Sequence, residues 1–109
     1  MEYPDPEEIL KLARGFMGAR ILLTGAELNL FTLLQNRPMT AQEVAEQLGM
    51  ALRPLVILLD ALTALALLKK EGGLYYCVPP VSRFLAEDAP DSVLPMVLHM
   101  AHLWHRWAG

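Results

Sequence analysis

Residues 39–79, MTAQEVAEQLGMALRPLVILLDALTALALLKKEGGLYYCVP, leave this chain few folds to choose from. Thr40-Ala41-Gln42-Glu43 has the spacing of a capping box, in which the Thr40 hydroxyl and the Glu43 carboxylate each satisfy a free backbone amide at a helix start. Val44, Ala45 and Leu48 then face inward at helical spacing, and Gly49 supplies the left-handed residue that closes the helix. Pro54 is tolerated only in the first turn of the next helix, so a second helix starts near Leu52. It is predicted to continue as an aliphatic rod to Leu68. Leu55, Leu58, Leu59, Leu62 and Leu65 make one face of that rod, and Val56, Ile57 and Ala61 add a second strip. Lys69–Glu71 and Leu74–Val78 flank Gly72-Gly73, the signature of a tight hairpin. Helix, turn, helix and hairpin in this order make a winged helix-turn-helix, a scaffold often used to grip DNA.

The chemistry for gripping DNA is thin. Base edges are read by Arg, Lys, Asn, Gln, Glu or Asp, and from Ala51 to Ile57 only Arg53 qualifies. The wing adds Lys69 and Lys70, partly offset by Glu71. The formal net charge is -3, whereas phosphate binding calls for a basic face. A nucleic-acid partner is therefore not expected, and a winged-helix transcriptional regulator stands as the alternative reading.

At 109 residues the chain is one domain. Hydrophobic residues make up 54% and charged residues 19%, more apolar than an ordinary soluble domain. A chain this small cannot hide so much apolar side chain alone, so part of it is predicted to lie against a second chain. Ala51–Leu68 and Phe16–Leu34 resemble membrane spans in apolar content. The first carries Arg53, Pro54 and Asp60 and the second Arg20, Glu27 and Asn29, so both are read as helices buried in protein, with no membrane partner. The amino terminus MEYPDPEEIL is acidic and opens with two prolines, unlike a signal peptide. The single cysteine, Cys77, allows no internal disulfide and fits the cytoplasm.

Helices are predicted on both sides of the winged core, which spans about 39–80. Asp5-Pro6-Glu7-Glu8 combines an N-cap, a proline at the first helical position and acids in the first turn. Ile9, Leu12, Ala13, Phe16, Met17, Arg20, Ile21, Thr24 and Leu28 follow at steps of three and four. Gly15, Gly18 and Gly25 point to close helix contacts, with a break near Gly25 or Asn29. Leu30, Phe31, Leu33 and Leu34 form a short apolar turn ended by Gln35–Pro38. Pro79-Pro80 stops the second wing strand, and Ser82–Leu85 reads as one helical turn. Asp91 is expected to cap a last helix, Ser92–Ala108, whose apolar positions include Val93, Met96, Val97, Met100, Leu103, Trp104 and Trp107. The fold class is thus mainly α: a winged helix-turn-helix with a two-stranded wing plus extra N- and C-terminal helices.

Few residues suggest chemistry. His99, His102 and His105 recur every three residues on the last helix. Each such step turns the face by about 60°, no carboxylate or cysteine lies among them, and they are read as polar-face or interface residues rather than metal ligands. Met96, Met100, Trp104 and Trp107 can line a pocket, although Met and Trp also fill ordinary helix seams.

The runs Thr24–Phe31 and Met39–Ala45 resemble the opening of many O-methyltransferases that use S-adenosylmethionine on small phenolic and polyketide-like substrates. Leu58–Leu62, Gly72–Tyr75, Arg83–Leu85 and His102–Trp107 continue the likeness over most of the chain. Ala66 departs from it, standing where the family commonly has glycine. The resemblance implies an amino-terminal dimerisation domain over 1–109 that interlocks with its twin and helps to close the partner's substrate pocket. It also implies a catalytic Rossmann-like domain that is absent from this chain: no glycine-rich turn follows a strand here, so neither S-adenosylmethionine nor catalytic residues are assigned, and the chain alone is not expected to be an enzyme. The expected dimer interface comprises Phe16, Ile21, Leu30, Phe31, Met100, Leu103 and Trp104, through mutual burial of the first, short and last helices. Met96, Met100 and Trp104 are the pocket candidates.

Overall fold

The computed structural model describes residues 3–108. Six helices and one hairpin follow in the order α1 (Pro6–Glu27), α2 (Leu30–Asn36), α3 (Ala41–Leu48), α4 (Leu52–Ala64), β1 (Lys69–Glu71), β2 (Leu74–Tyr76), α5 (Pro79–Leu85) and α6 (Leu94–Ala108). The Asp5 carboxylate accepts from the Glu8 amide at 2.8 Å with Pro6 in the first turn, so α1 starts as its sequence dictates. It breaks at Asn29, which adopts φ +56°. There the side chain becomes a staple. Thr32 donates its hydroxyl to Asn29 at 2.7 Å, Asn29 donates to Glu87 at 3.1 Å, and the Glu87 amide donates back to Thr32 at 2.8 Å.

The winged core forms as predicted. Thr40 and Glu43 make both bonds of the capping box, at 3.1 and 2.9 Å. The chain turns by 118° between α3 and α4, within the range of a helix-turn-helix. Gly72 and Gly73, at φ +57° and +80°, form the two-residue turn that pairs Glu71 with Leu74 and Lys69 with Tyr76. Met39 bridges to Tyr75 through amide–carbonyl bonds of 3.0 and 2.8 Å, so the wing is anchored to the segment before α3.

The second wing strand ends at Tyr76 rather than Val78, and three further predicted boundaries move, each for a local reason. First, α4 stops at Ala64 rather than Leu68 because Ala66 adopts φ +61°. The Leu67 amide then reaches Leu62 O at 3.0 Å and the Ala66 amide reaches Thr63 O at 2.9 Å, a left-handed helix stop usually built on glycine. Second, Pro79-Pro80 opens α5 instead of merely ending the strand, since proline suits a first helical turn. Third, Asp91 does not cap α6. Its carboxylate takes Arg83 Nε at 3.0 Å, and the Ser92 hydroxyl accepts from the Leu94 amide at 3.1 Å.

The stop at Ala66 supports a prediction. An L-residue in the left-handed region costs about 1–2 kcal/mol, which glycine avoids at some cost in unfolded-chain entropy. Ala66→Gly is expected to stabilise the domain by about 1 kcal/mol, raising Tm by roughly 5 °C in a thermal scan.

The core gathers Leu30, Phe31, Leu34, Met39, Val44, Leu55, Leu59, Leu62, Leu68 and Tyr75, all fully buried. Close approach of α1 to α4 depends on Gly25, where a Cβ would meet Leu62 methyls at 3.1 and 3.2 Å and the Phe31 ring at 3.3 Å. The rod of α4 is therefore hidden mainly within its own protomer, through Leu55, Leu59 and Leu62. Burial in protein, as read from the sequence, holds for these residues within the protomer's core, while Leu52, Ile57 and Leu65 stay exposed.

The surface is larger than the mass requires. The chain exposes 7439 Å², against about 6,100 Å² for a compact monomer of this mass. Its radius of gyration is 15.4 Å, where about 13 Å is usual for this length. Overall it measures 51 × 30 × 29 Å. No single helix among the described residues is long and apolar enough to cross a membrane.

Candidate functional site

The exposed apolar surface concentrates on α1 and α6. The two helices meet through Leu23 and Ala26 on α1 and Leu94, Val97 and Ala101 on α6, all buried. Beside this seam runs an apolar groove of about 510 Å³, lined by Ala19, Leu22 and Leu23 from α1 and by Val97, Met100, Leu103, Trp104 and Trp107 from α6. Trp104 stacks on Phe16 with ring centres 6.4 Å apart and planes 11° from parallel. The Arg20 guanidinium lies 5.8 Å from the centre of the same indole.

A polar seam completes the α1–α6 contact. Arg20 donates to the Thr24 hydroxyl at 2.9 Å and to Glu27 at 3.0 Å, and Glu27 meets His105 Nε2 at 2.8 Å. Burial works to raise the Glu27 carboxyl, but the hydrogen bonds and positive charge of His105 and Arg20 outweigh it, so the group sits below its ordinary value. A second carboxylate behaves alike: Asp60 accepts from the Tyr75 hydroxyl and pairs with Lys70 at 3.4 Å, which holds it low despite partial desolvation. For a group depressed in the folded state, the stabilisation is complete above its unfolded pKa and is lost as pH falls through the folded one. Stability is therefore expected to be flat above about pH 5 and to decline below pH 4.5. Glu27→Gln should make that decline shallower in a series of urea titrations from pH 7 to 3.

The predicted interface residues separate into two groups. Phe16, Met100 and Leu103 are 55%, 54% and 45% exposed, and Ile21 and Trp104 are half-buried. Leu30 and Phe31, by contrast, are 0% exposed. They pack in the protomer's own core and have no surface to lose to another chain, so the expectation that they lie at the interface is corrected. Of the pocket candidates, Met100 and Trp104 line the groove, whereas exposed Met96 lies outside its lining. Leu22, Leu23 and Trp107 also line the groove, although none of them was among the expected interface residues. Periodicity marked α1 and α6 as apolar, but only their crossing shows which strip stays open.

Other features carry less. His105 turns to Glu27, and no three His, Cys, Asp or Glu side chains converge among the described residues. The leading turn of α4 faces solvent with Arg53 as its one cation. Cys77 is buried, which pushes its thiol up to about 11 and leaves it unreactive near neutrality. The only strands among the described residues are the wing pair, joined by a hairpin. They provide no strand–turn–helix cradle of the kind that holds a nucleoside cofactor.

Comparison with known proteins places this arrangement. The sequence profile of the O-methyltransferase dimerisation domain matches residues 10–88. The tetracenomycin polyketide synthesis 8-O-methyl transferase TcmO of Streptomyces glaucescens is 40% identical over 89 residues, which cover 81% of this chain and 26% of that protein. An O-methyltransferase family protein from Burkholderia thailandensis superposes with a TM-score of 0.87 at 32% identity, over 98% of this chain and 32% of the other. Human N-acetylserotonin methyltransferase in complex with SAM superposes with a TM-score of 0.79 at 28% identity, over 99% of this chain and 35% of the other. The chain thus spans about a quarter to a third of the length of these relatives. A winged core between two apolar helices, matched by profile, sequence and superposition together, makes this chain a member of the O-methyltransferase dimerisation-domain family.

Proposed function

We propose that this chain is the homodimerisation part of an S-adenosylmethionine-dependent small-molecule methyltransferase, that it helps to wall the partner's substrate pocket, and that it does not turn over substrate alone. The observation that carries the reading is the apolar face of α1 and α6. Phe16, Met100, Leu103 and Trp107 stand in water there, on a chain exposing about 1,300 Å² more than a compact monomer of its mass. An obligate dimer buries 2,000 Å² or more in total, so the excess is of the size that one protomer contributes.

Burial of each such side chain contributes roughly 1.5–3 kcal/mol. The residues present do not fit S-adenosylmethionine, so no methyl-transfer step is assigned to them. What α6 offers instead is a wall of Met100 and Trp104, polarizable and aromatic, suited to a flat apolar substrate held elsewhere.

Sedimentation equilibrium from 0.1 to 10 µM tests the reading. The expected species has twice the 12.2 kDa chain mass. A well-folded monomer throughout that range would overturn it. Added duplex DNA should leave the sedimentation unchanged at low salt, where a DNA reader would bind most tightly.

A further inference from the structure

Helix α1 is held along only part of its length, and Gly15 marks the border. Past Gly15 the helix is tied down side chain by side chain. Phe16 stacks on Trp104, Arg20 and Glu27 join the polar seam to α6, and Leu23, Gly25 and Ala26 are buried. Before Gly15 the bonding is only local. Every residue from 6 to 14 is exposed. Among the described residues the side-chain supports there are the Asp5 cap and one pair, Arg14 with Glu7 at 3.3 Å. An exposed pair of that kind contributes little.

Lengthening a helix that already exists avoids the nucleation cost, but each added residue contributes almost nothing by itself. Glycine is the least favourable residue in a helix interior after proline. A Cβ placed at Gly15 would meet no atom within 4 Å, so no contact in the protomer calls for glycine there. Gly25 is the opposite case, pressed against Leu62 and Phe31. Residues 6–14 therefore sit close to the balance between helix and coil. This segment nevertheless carries Ile9, Leu10 and Leu12 at 53%, 50% and 77% exposure. Ile9 and Leu12 share a face with Phe16 and Ala19. Their stripe thus runs on into the apolar face of α1 and α6 that a second copy would cover.

We propose that Gly15 is a hinge: in the free protomer residues 6–14 exchange between helix and coil, and they become fixed as helix only when a second copy covers Ile9 and Leu12. This rests on the homodimer reading and adds to it an ordering step at one end of α1. Association then carries the cost of ordering that segment, which keeps the dimer weaker than its apolar area alone implies.

Hydrogen exchange read by mass spectrometry tests the ordering step. In dilute protein, where the monomer prevails, amides 10–15 should exchange at least about tenfold faster than in concentrated protein, while amides 20–27 keep their protection. Sedimentation tests the linkage. Gly15→Ala lowers the ordering cost and should tighten self-association about fivefold, the ratio equivalent to about 1 kcal/mol of helix propensity. Gly18→Ala makes the same chemical change in the held half, where the added methyl meets Leu65 at 4.0 Å. It should raise Tm and leave association unchanged within about twofold. Equal protection of the two segments in dilute protein, whether both high or both lost, would overturn the hinge and leave the dimer standing. So would a Gly18→Ala chain that tightens as much as Gly15→Ala. A folded monomer at every concentration would overturn the homodimer reading itself, and the ordering step with it.

Discussion

Phe31→Ala is expected to destabilise the domain by about 3–5 kcal/mol, the usual range for emptying a phenylalanine site in a closed core. The ring is fully buried, touches the close α1–α4 contact at Gly25, and sits among Leu30, Leu34 and Leu62. Two further residues on α2 are fully buried beside it, so the cavity has little freedom to collapse. Domains of this size hold about 5–15 kcal/mol in total, so the variant should lose about a third or more of a mid-range stability and unfold at a markedly lower urea concentration. Urea unfolding followed by circular dichroism measures the loss. Phe16→Ala removes the same ring from a half-exposed place on α1 and should cost less than about 1.5 kcal/mol by the same measurement. Under the proposed homodimer its larger effect is expected on self-association. Equal losses that do not change with protein concentration would mean that Phe16 is held in a core the structure does not place it in.

The second large effect concerns association. Met100→Asp with Leu103→Asp places two carboxylates in the apolar lining of the groove side of α6. Burying an unpaired charge costs several kcal/mol. The double variant should weaken the dimer at least about 1,000-fold, roughly 4 kcal/mol. Both side chains are about half exposed in the protomer, so its own core is untouched. Dimer stability makes Tm depend on protein concentration. That dependence should be present for the wild-type chain between 1 and 100 µM and absent for the double variant. A variant that keeps the wild-type dependence would place the association surface away from α6.

Each of these contrasts sets apart residues that look alike in sequence. Phe16 and Phe31 both lie on apolar helical stripes, and both were expected at the interface. A stripe states that one face of a helix avoids water without naming what covers it. For α2 the cover is the protomer itself, through α1, α5 and β2. For the first half of α1 the protomer provides little beyond the stack of Trp104 on Phe16, and residues 6–17 are exposed. The aliphatic rod of α4 was legible only as a helix buried in protein, because its length and apolar density do not distinguish a core from an interface.

What the sequence determined by itself was local. Asp5 with Pro6, the Thr40–Glu43 box, Gly49 and the Gly72-Gly73 turn each act through bonds and backbone angles within a few residues, so element order and the winged core were legible before any coordinates. Tertiary structure decided the rest. It sent Asp91 to Arg83 rather than to a helix end, gave Ala66 the left-handed angle that shortens α4, and set α6 across α1 so that Met100, Leu103 and Trp104 face an open groove while Leu30 and Phe31 face none. These outcomes depend on which surfaces compete for the same contact, and that competition is settled only when all the helices are packed.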